Sequence, residues 1–366
     1  MKITTSRDDL LKPLLQIGGV VERRQTLPIL ANVLISAKPD RLELTATDLE
    51  VELRTHAPVQ ADGEAEFTLP ARKLIDICKA LPEGADIDLS VDGDKATLRS
   101  GRGRYTLGTL PAQDYPSIDP AAASETLELP ERVLKQLIDK THFAMAQQDV
   151  RYYLNGMLLE VRPGRIRTVA TDGHRLALCD NDYPADSTVN IQVILPRKAV
   201  LELGRLLSDS DDMVKLELSS SHVRLTLAKA SFTSKLIDGR FPDYERVMPS
   251  GEPQIVTADK DALRQSLART AILSNEKYRG IRFRLSQGLL HLQAHNPEQD
   301  EAEEEVEVQY AGDEMTIGFN VGYLLDVLGV IDSDDVNIAV TDANSSSLIT
   351  SANGSNCRFV IMPMRL

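Results

Sequence analysis

The residues nearest to a catalytic signature are Thr171-Asp172-Gly173-His174-Arg175, where a carboxylate and an imidazole lie two positions apart. Such a pair suits general acid–base work, because His titrates near neutral pH and a carboxylate can orient it. Two features oppose that chemistry. Asp172 ends the alternating stretch Thr168-Val-Ala-Thr-Asp172, which recurs as Leu44-Thr-Ala-Thr-Asp48 and Leu292-Gln-Ala-His-Asn296. Asp and Asn at the end of a strand favour tight turns, so a repeated turn explains Asp172 better than a unique base does. His174 has no counterpart in the other two copies, and no nucleophile stands beside it. No GxxxxGK[ST], HExxH, GxSxG or paired CxxC occurs. The expectation is a protein without catalytic residues, bound metal or cofactor.

Charge suggests association instead. Arg99, Arg102 and Arg104 fall in a hairpin-like stretch, Leu98 to Leu107, and an acidic run, Glu298 to Glu305, lies near the other end of the chain. Opposite charges on paired strands support each other, and like charges bar the wrong pairing. The spacing predicts a head-to-tail contact of Arg99, Arg102 and Arg104 with Glu298, Glu301, Glu303 and Glu304 of a second copy. The plainer alternative is two solvated edges protected by charge.

The chain of 366 residues carries 41 basic and 55 acidic side chains, a net charge of −14. That excess argues against tight phosphate binding unless charge is unevenly distributed. It is uneven: the six helices described below hold fourteen basic and nine acidic residues, so the remainder is strongly acidic. A mildly basic helical face would attract duplex DNA, with its one charge per ~1.7 Å of axis, without gripping it.

The elements that position these residues form a triplicate. Asp48, Asp172 and Asn296 are spaced by 124 residues in both intervals. A strand precedes each: Ile29 to Ile35, Leu154 to Val161 and Gly280 to Leu285. A helix follows each: Pro70 to Leu81, Pro196 to Leu207 and Asn320 to Ile331, with apolar stripes such as Leu74, Ile75, Cys78 and Leu81 on one face. Pro70 and Pro196 suit a first helical turn, and Asn320 an N-cap. A second helix opens each repeat, marked by Leu10, Leu11, Leu14 and Leu15, by Val133, Leu134, Leu137 and Ile138, and by Leu263 and Leu267. Pro13 should shorten or kink the first of these. Asp92-Gly93 marks one of many hairpin turns. The reading is three α+β domains, 1–121, 122–248 and 249–366, each with two helices packed on antiparallel sheets. Repeats of ~120 residues exceed the roughly 20–50 of a solenoid unit, and closure into a ring is one reason to string three together. No apolar run is long enough to span a membrane. The N-terminus lacks a signal-peptide core, and Cys78, Cys179 and Cys357 read as reduced thiols, so a cytoplasmic protein is expected.

Several strings carry a resemblance. Gln148-Asp-Val-Arg-Tyr-Tyr-Leu-Asn-Gly156, Thr168 to Leu176, Phe232 to Tyr244, Ala271 to Gly280, Asn296-Pro-Glu-Gln299 and Val360-Ile-Met-Pro-Met-Arg-Leu366 closely resemble the beta subunit of bacterial DNA polymerase III. The likeness runs from end to end. It implies a homodimeric ring of six like domains that encircles duplex DNA without sequence preference. It also implies opening by a clamp loader, and tethering of polymerases and repair factors through short Gln-Leu-x-Leu-Phe-like peptides. By this resemblance the peptide groove falls on Leu154, Thr171, Gly173, His174, Arg175, Leu176, Pro242, Arg246, Val247, Asn320, Tyr323, Val360, Met362, Pro363, Met364, Arg365 and Leu366. DNA contacts fall on Arg24, Gln148, Tyr152 and Tyr153 and on basic helix residues, namely Arg72, Lys73, Arg197, Lys198 and Arg205. Tyr105, Leu107, Ile272 and Leu273 become apolar filling of the dimer seam. Two alternatives stay open. A clamp-fold scaffold could bind partners without encircling DNA. A sequence-specific DNA binder is also conceivable, but no recognition-helix motif supports it.

Overall fold

The computed structural model describes residues 1–21, 27–119, 122–249 and 251–365. Among them lie six α-helices: α1 (Arg7–Ile17), α2 (Ala71–Ala80), α3 (Glu131–Thr141), α4 (Arg197–Leu206), α5 (Lys260–Thr270) and α6 (Val321–Val330). The helices pack on four antiparallel sheets, and the fold is α+β.

Local chemistry accounts for three of the helix starts. Ser6 accepts a hydrogen bond from the Asp9 amide and starts α1, Asp259 does the same for α5 from Ala262, and Asn320 accepts from Gly322 and Tyr323 at α6. Pro70 and Pro196 stand at the ends of strands, one residue before α2 and α4 rather than inside them. Pro13 does not shorten α1, which runs for 11 residues like α3 and α5. A helix-interior proline costs about 3 kcal/mol. Leu10, Leu11, Leu14 and Ile17 are all buried, each contributing roughly 1.5–3 kcal/mol, so tertiary burial outweighs the lost hydrogen bond. Leu15, expected on the buried stripe, is 48% exposed. Two strands begin later than the apolar pattern suggests. Pro28–Ala31 and Tyr152–Leu154 form 3-10 turns, and the strands start at Asn32 and Gly156. Asp92-Gly93 does make a hairpin turn, with Gly93 at φ +56, a conformation that favours glycine.

Two compact units group the described residues: Met1–Lys135 with Lys198–Leu236, and Gln136–Arg197 with Ile237–Leu366. The first holds an eight-stranded sheet and a five-stranded sheet; the second holds an eight-stranded and a four-stranded sheet. The division cuts the second repeat because main-chain pairing links neighbouring repeats. In the first unit the strand Ala230–Lys235 pairs with Val51–Pro58. In the second, Cys357–Ile361 pairs with Arg175–Asp182.

That second pairing corrects the expectation of three reduced thiols. Cys179 and Cys357 are directly opposed across the two strands and joined by a disulfide, although 178 residues separate them in sequence. Register, which spacing in the sequence does not reveal, brings them together. Cys78 is free and buried, and burial pushes its thiol up to about 11.

Candidate functional site

The eight-stranded sheet of the second unit builds a hollow. Side chains alternate along a strand, so Leu158, Val169, Leu176, Leu178 and Val360 share one face and form a buried cluster with Ile194, Phe241 and Tyr244. Where the strands end, their loops leave a cavity of about 160 Å³. Leu154, Thr171, Gly173, Arg175, Leu176, Pro242, Val247, Val360 and Met362 line it, joined by Arg151, Asp243 and Tyr244. The Met362 amide donates to the His174 carbonyl (2.9 Å), fixing the floor strand to the turn that borders it.

Asp172 is the turn-former that the repeat suggests. Its carboxylate accepts from the amides of His174 (2.9 Å) and Arg175 (3.0 Å), as Asp48 accepts from Glu50 (2.9 Å) and Val51 (2.7 Å). Arg175 is fixed on several sides. It donates to Asp172 (3.1 Å), Asp326 (2.5 Å) and the Phe143 carbonyl (2.7 Å), and it stacks 4.4 Å over the Tyr323 ring. Burial pushes the Tyr323 phenol up. Gly173, at φ +90, holds a backbone conformation that favours glycine, and a Cβ there would also press on the Arg151 guanidinium at 3.0 Å. Arg151 in turn grips Asp149, and its side-chain and backbone hydrogen bonds pull that carboxyl down to about 2.

Other residues expected in the groove stand around it or elsewhere. His174 is exposed at the border. Arg246 is paired with Asp243 at 2.8 Å. Asn320 is the cap of α6. Pro363, Met364 and Arg365 line a separate hollow of about 350 Å³ with Arg282. They sit there because the chain leaves the sheet after Ile361 and bridges, Met364 amide to Gly318 carbonyl (2.7 Å), onto the strand Met315–Asn320. Leu366 lies outside the described residues. Sequence reasoning missed Arg151, Asp243 and Tyr244. Their signal was the strings that contain them, Asp149-Val-Arg151 and Phe241-Pro-Asp-Tyr244, in which a charged or aromatic residue sits beside a turn former.

Of the residues expected at DNA, Arg24 also lies outside the described residues. In the first unit Arg72 and Lys73 are exposed on α2, and Arg72 donates to the Val21 carbonyl (3.0 Å). Lys198 pairs with Asp48 (2.5 Å), and Arg205 is exposed beside Glu202 (2.9 Å), whose carboxyl burial pushes up. In the second unit Gln148 has φ +57, Tyr152 is 57% exposed, Tyr153 packs on the groove's core and Arg197 donates to the Met145 carbonyl (3.2 Å).

The charged segments are strand edges. Gly103–Gly108 ends the five-stranded sheet of the first unit, and Glu301–Glu307 ends the four-stranded sheet of the second. Arg104 and Tyr105 are on the first edge, while Arg99 is one strand in and Arg102 is in the turn. Leu107 is buried within its own unit, so it is not open filling; Ile272 is 76% exposed and Leu273 half-buried. Glu298 lies in the loop before the acidic edge. Glu301 and Glu303 point to one face, and Glu304 points to the other, where Arg269 of α5 holds it at 2.6 and 2.7 Å. The four carboxylates therefore do not present a common front.

An apolar hollow with an arginine rim, on repeated α+β domains with two oppositely charged sheet edges, is a geometry suited to docking a partner. Comparison with known proteins agrees. The N-terminal, central and C-terminal domain models of the DNA polymerase III beta subunit match residues 1–119, 128–243 and 245–365. The beta sliding clamp of Pseudomonas putida is 54% identical over the whole of both chains, and that of Escherichia coli 48%. The crystal structure of a sliding clamp (DNA polymerase III subunit beta) from Pseudomonas aeruginosa bound to griselimycin matches with a TM-score of 0.95, at 54% identity and full coverage of both chains. The chain belongs to the DNA polymerase III beta subunit family, the DNA sliding clamps, which are replication processivity factors and non-catalytic.

Proposed function

We propose that two copies of this chain close head to tail into a ring around duplex DNA and tether DNA polymerases, repair factors and a clamp loader through the apolar groove. One observation carries the closure. In each repeat the last strand, beginning at Gly103, Ala230 and Cys357, seeks the strand that follows the Asp/Asn turn of a neighbouring repeat. Ala230–Lys235 finds Val51–Pro58 and Cys357–Ile361 finds Arg175–Asp182, both antiparallel. The remaining members of the two sets are Gly103–Gly108 and Glu301–Glu307, each at a sheet edge and of opposite charge. Pairing between copies completes the pattern and removes both exposed edges. Arg104 facing Glu301 and Glu303, with Ile272 and Leu273 as apolar filling, is the contact that results, and Arg99 and Arg102 add positive potential nearby.

We take the three domains as 1–121, 122–248 and 249–366; family models over 1–119, 128–243 and 245–365 support three units of this size, the third model starting inside the second proposed domain. Inside the ring, Arg24, Arg72, Lys73, Gln148, Tyr152, Tyr153, Arg197, Lys198 and Arg205 meet the DNA backbone. With a net charge of −14, direct affinity is weak and salt-sensitive, and retention comes from closure. In the groove, Leu176, Val247, Val360 and Met362 form the floor for one or two apolar anchors of a short peptide. Each anchor contributes roughly 1.5–3 kcal/mol, a sufficient part of the about −8 kcal/mol of micromolar binding. Among the described residues no helix is long and apolar enough to cross a membrane; we place the protein, without catalytic activity of its own, in the cytoplasm with the chromosome.

The test compares topologies. Protein loaded on nicked circular DNA should remain bound in size exclusion and leave when the circle is linearised. Equal retention on both forms would leave the scaffold that binds partners without encircling DNA as the better reading.

A further inference from the structure

The sheet face that forms the groove floor does not end in apolar residues. Two positions beyond Val169, Leu178 and Val360 the same face carries Arg167, Asp180 and Arg358, because alternation returns every second side chain to it. Arg167 and Asp180 are directly opposed in register. The Arg167 fork binds both oxygens of Asp180, one contact at 2.8 Å, and Arg358 donates to the same carboxylate at 2.9 Å. The remaining arm of Arg167 donates to the Tyr244 hydroxyl at 3.0 Å, and its carbon lies 5.7 Å from the Tyr244 ring centroid. Arg167 is only 5% exposed, so the centre of this network is desolvated, while the Arg358 side chain stays partly open to solvent.

The partners matter because of where they sit. Tyr244 opens the 3-10 turn Tyr244–Val247, which supplies Tyr244 and Val247 to the cavity wall. Arg358 is on the strand that supplies Val360, with Met362 just beyond it, to the floor. One guanidinium and one carboxylate thus join wall to floor behind the cavity, and neither lines it.

We infer that Arg167 is a positioning residue of the groove, holding Tyr244 and its turn at the spacing from the floor strand that a peptide side chain requires. The inference rests on the groove reading above. A bidentate guanidinium bond has a fixed direction, which an ammonium or an apolar contact does not reproduce. Loss of the Tyr244 bond lets the turn shift, and binding then bears the cost of reordering it.

The experiment uses the full-length dimer and a Gln-Leu-x-Leu-Phe peptide in calorimetry, with sedimentation and thermal melts as controls. Tyr244→Phe keeps the ring and removes only the hydroxyl; it should weaken binding about tenfold, equivalent to about 1.4 kcal/mol, with an unchanged dimer. Arg167→Lys should weaken binding to a similar extent. The double variant should be no weaker than the weaker single one, since both remove the same bond. Wild-type affinity in Tyr244→Phe, or additive losses in the double variant, overturns the inference, because a residue that acts through general stability alone gives one or the other. If the unaltered protein takes up no peptide, the groove reading fails and this inference with it.

Discussion

The groove and the strand edges solve binding in different ways. The groove is concave, apolar and assembled from segments as far apart as Leu154 and Met362, and its shape exists before any partner arrives. The edges Gly103–Gly108 and Glu301–Glu307 are each continuous in sequence, charged and paired on one side only, and in the proposed ring a second copy supplies the other neighbour. Affinity at the groove should therefore depend on a few buried side chains, and affinity at the edges on main-chain pairing with one apolar patch. The two should also be separable by mutation, because different residues carry them.

The largest effect expected is at the seam. Replacing both Ile272 and Leu273 with Ala removes the apolar patch beside the acidic edge, a loss of roughly 3 kcal/mol or more and about a hundredfold in dimer affinity. Sedimentation at micromolar concentration should show monomers that still bind peptide; a persistent dimer places the interface elsewhere. Next is Met362→Ala, which truncates the groove floor. Peptide affinity should fall about tenfold with the dimer mass unchanged. Wild-type affinity in this variant would remove Met362 from the site and weaken the contrast. The smallest effect is electrostatic. Arg104→Glu should weaken the dimer by about 0–1 kcal/mol, less at high salt, with partial recovery on adding Glu303→Arg. If salt leaves this difference unchanged, the two side chains do not face each other.

The different legibility of these regions has a physical origin. The edges were visible early because alternation and charge are local properties: Arg104 and Glu303 are read within a few residues of their own strands. The groove was not visible that way. Leu176 and Val360 are opposed across a strand pair although they lie 184 positions apart in sequence, and only the register of that pair makes them one surface. The resemblance named many of its residues, yet it missed Tyr244 and Arg151 and included Met364 and Arg365, which the Gly318 bridge draws into another hollow.

By itself the sequence determined the triplicate, the α+β class, most helix faces, the turn role of Asp172 and the absence of known catalytic motifs. Each rests on interactions spanning three or four residues, or on a repeat that needs no coordinates. Tertiary structure decided what depends on long-range pairing. Burial kept α1 whole despite Pro13, and strand register set Cys179 against Cys357. A buried arginine joined Asp180 to Tyr244 behind the groove. Such contacts follow from which strands lie side by side, and that is a property of the whole fold rather than of any window within it.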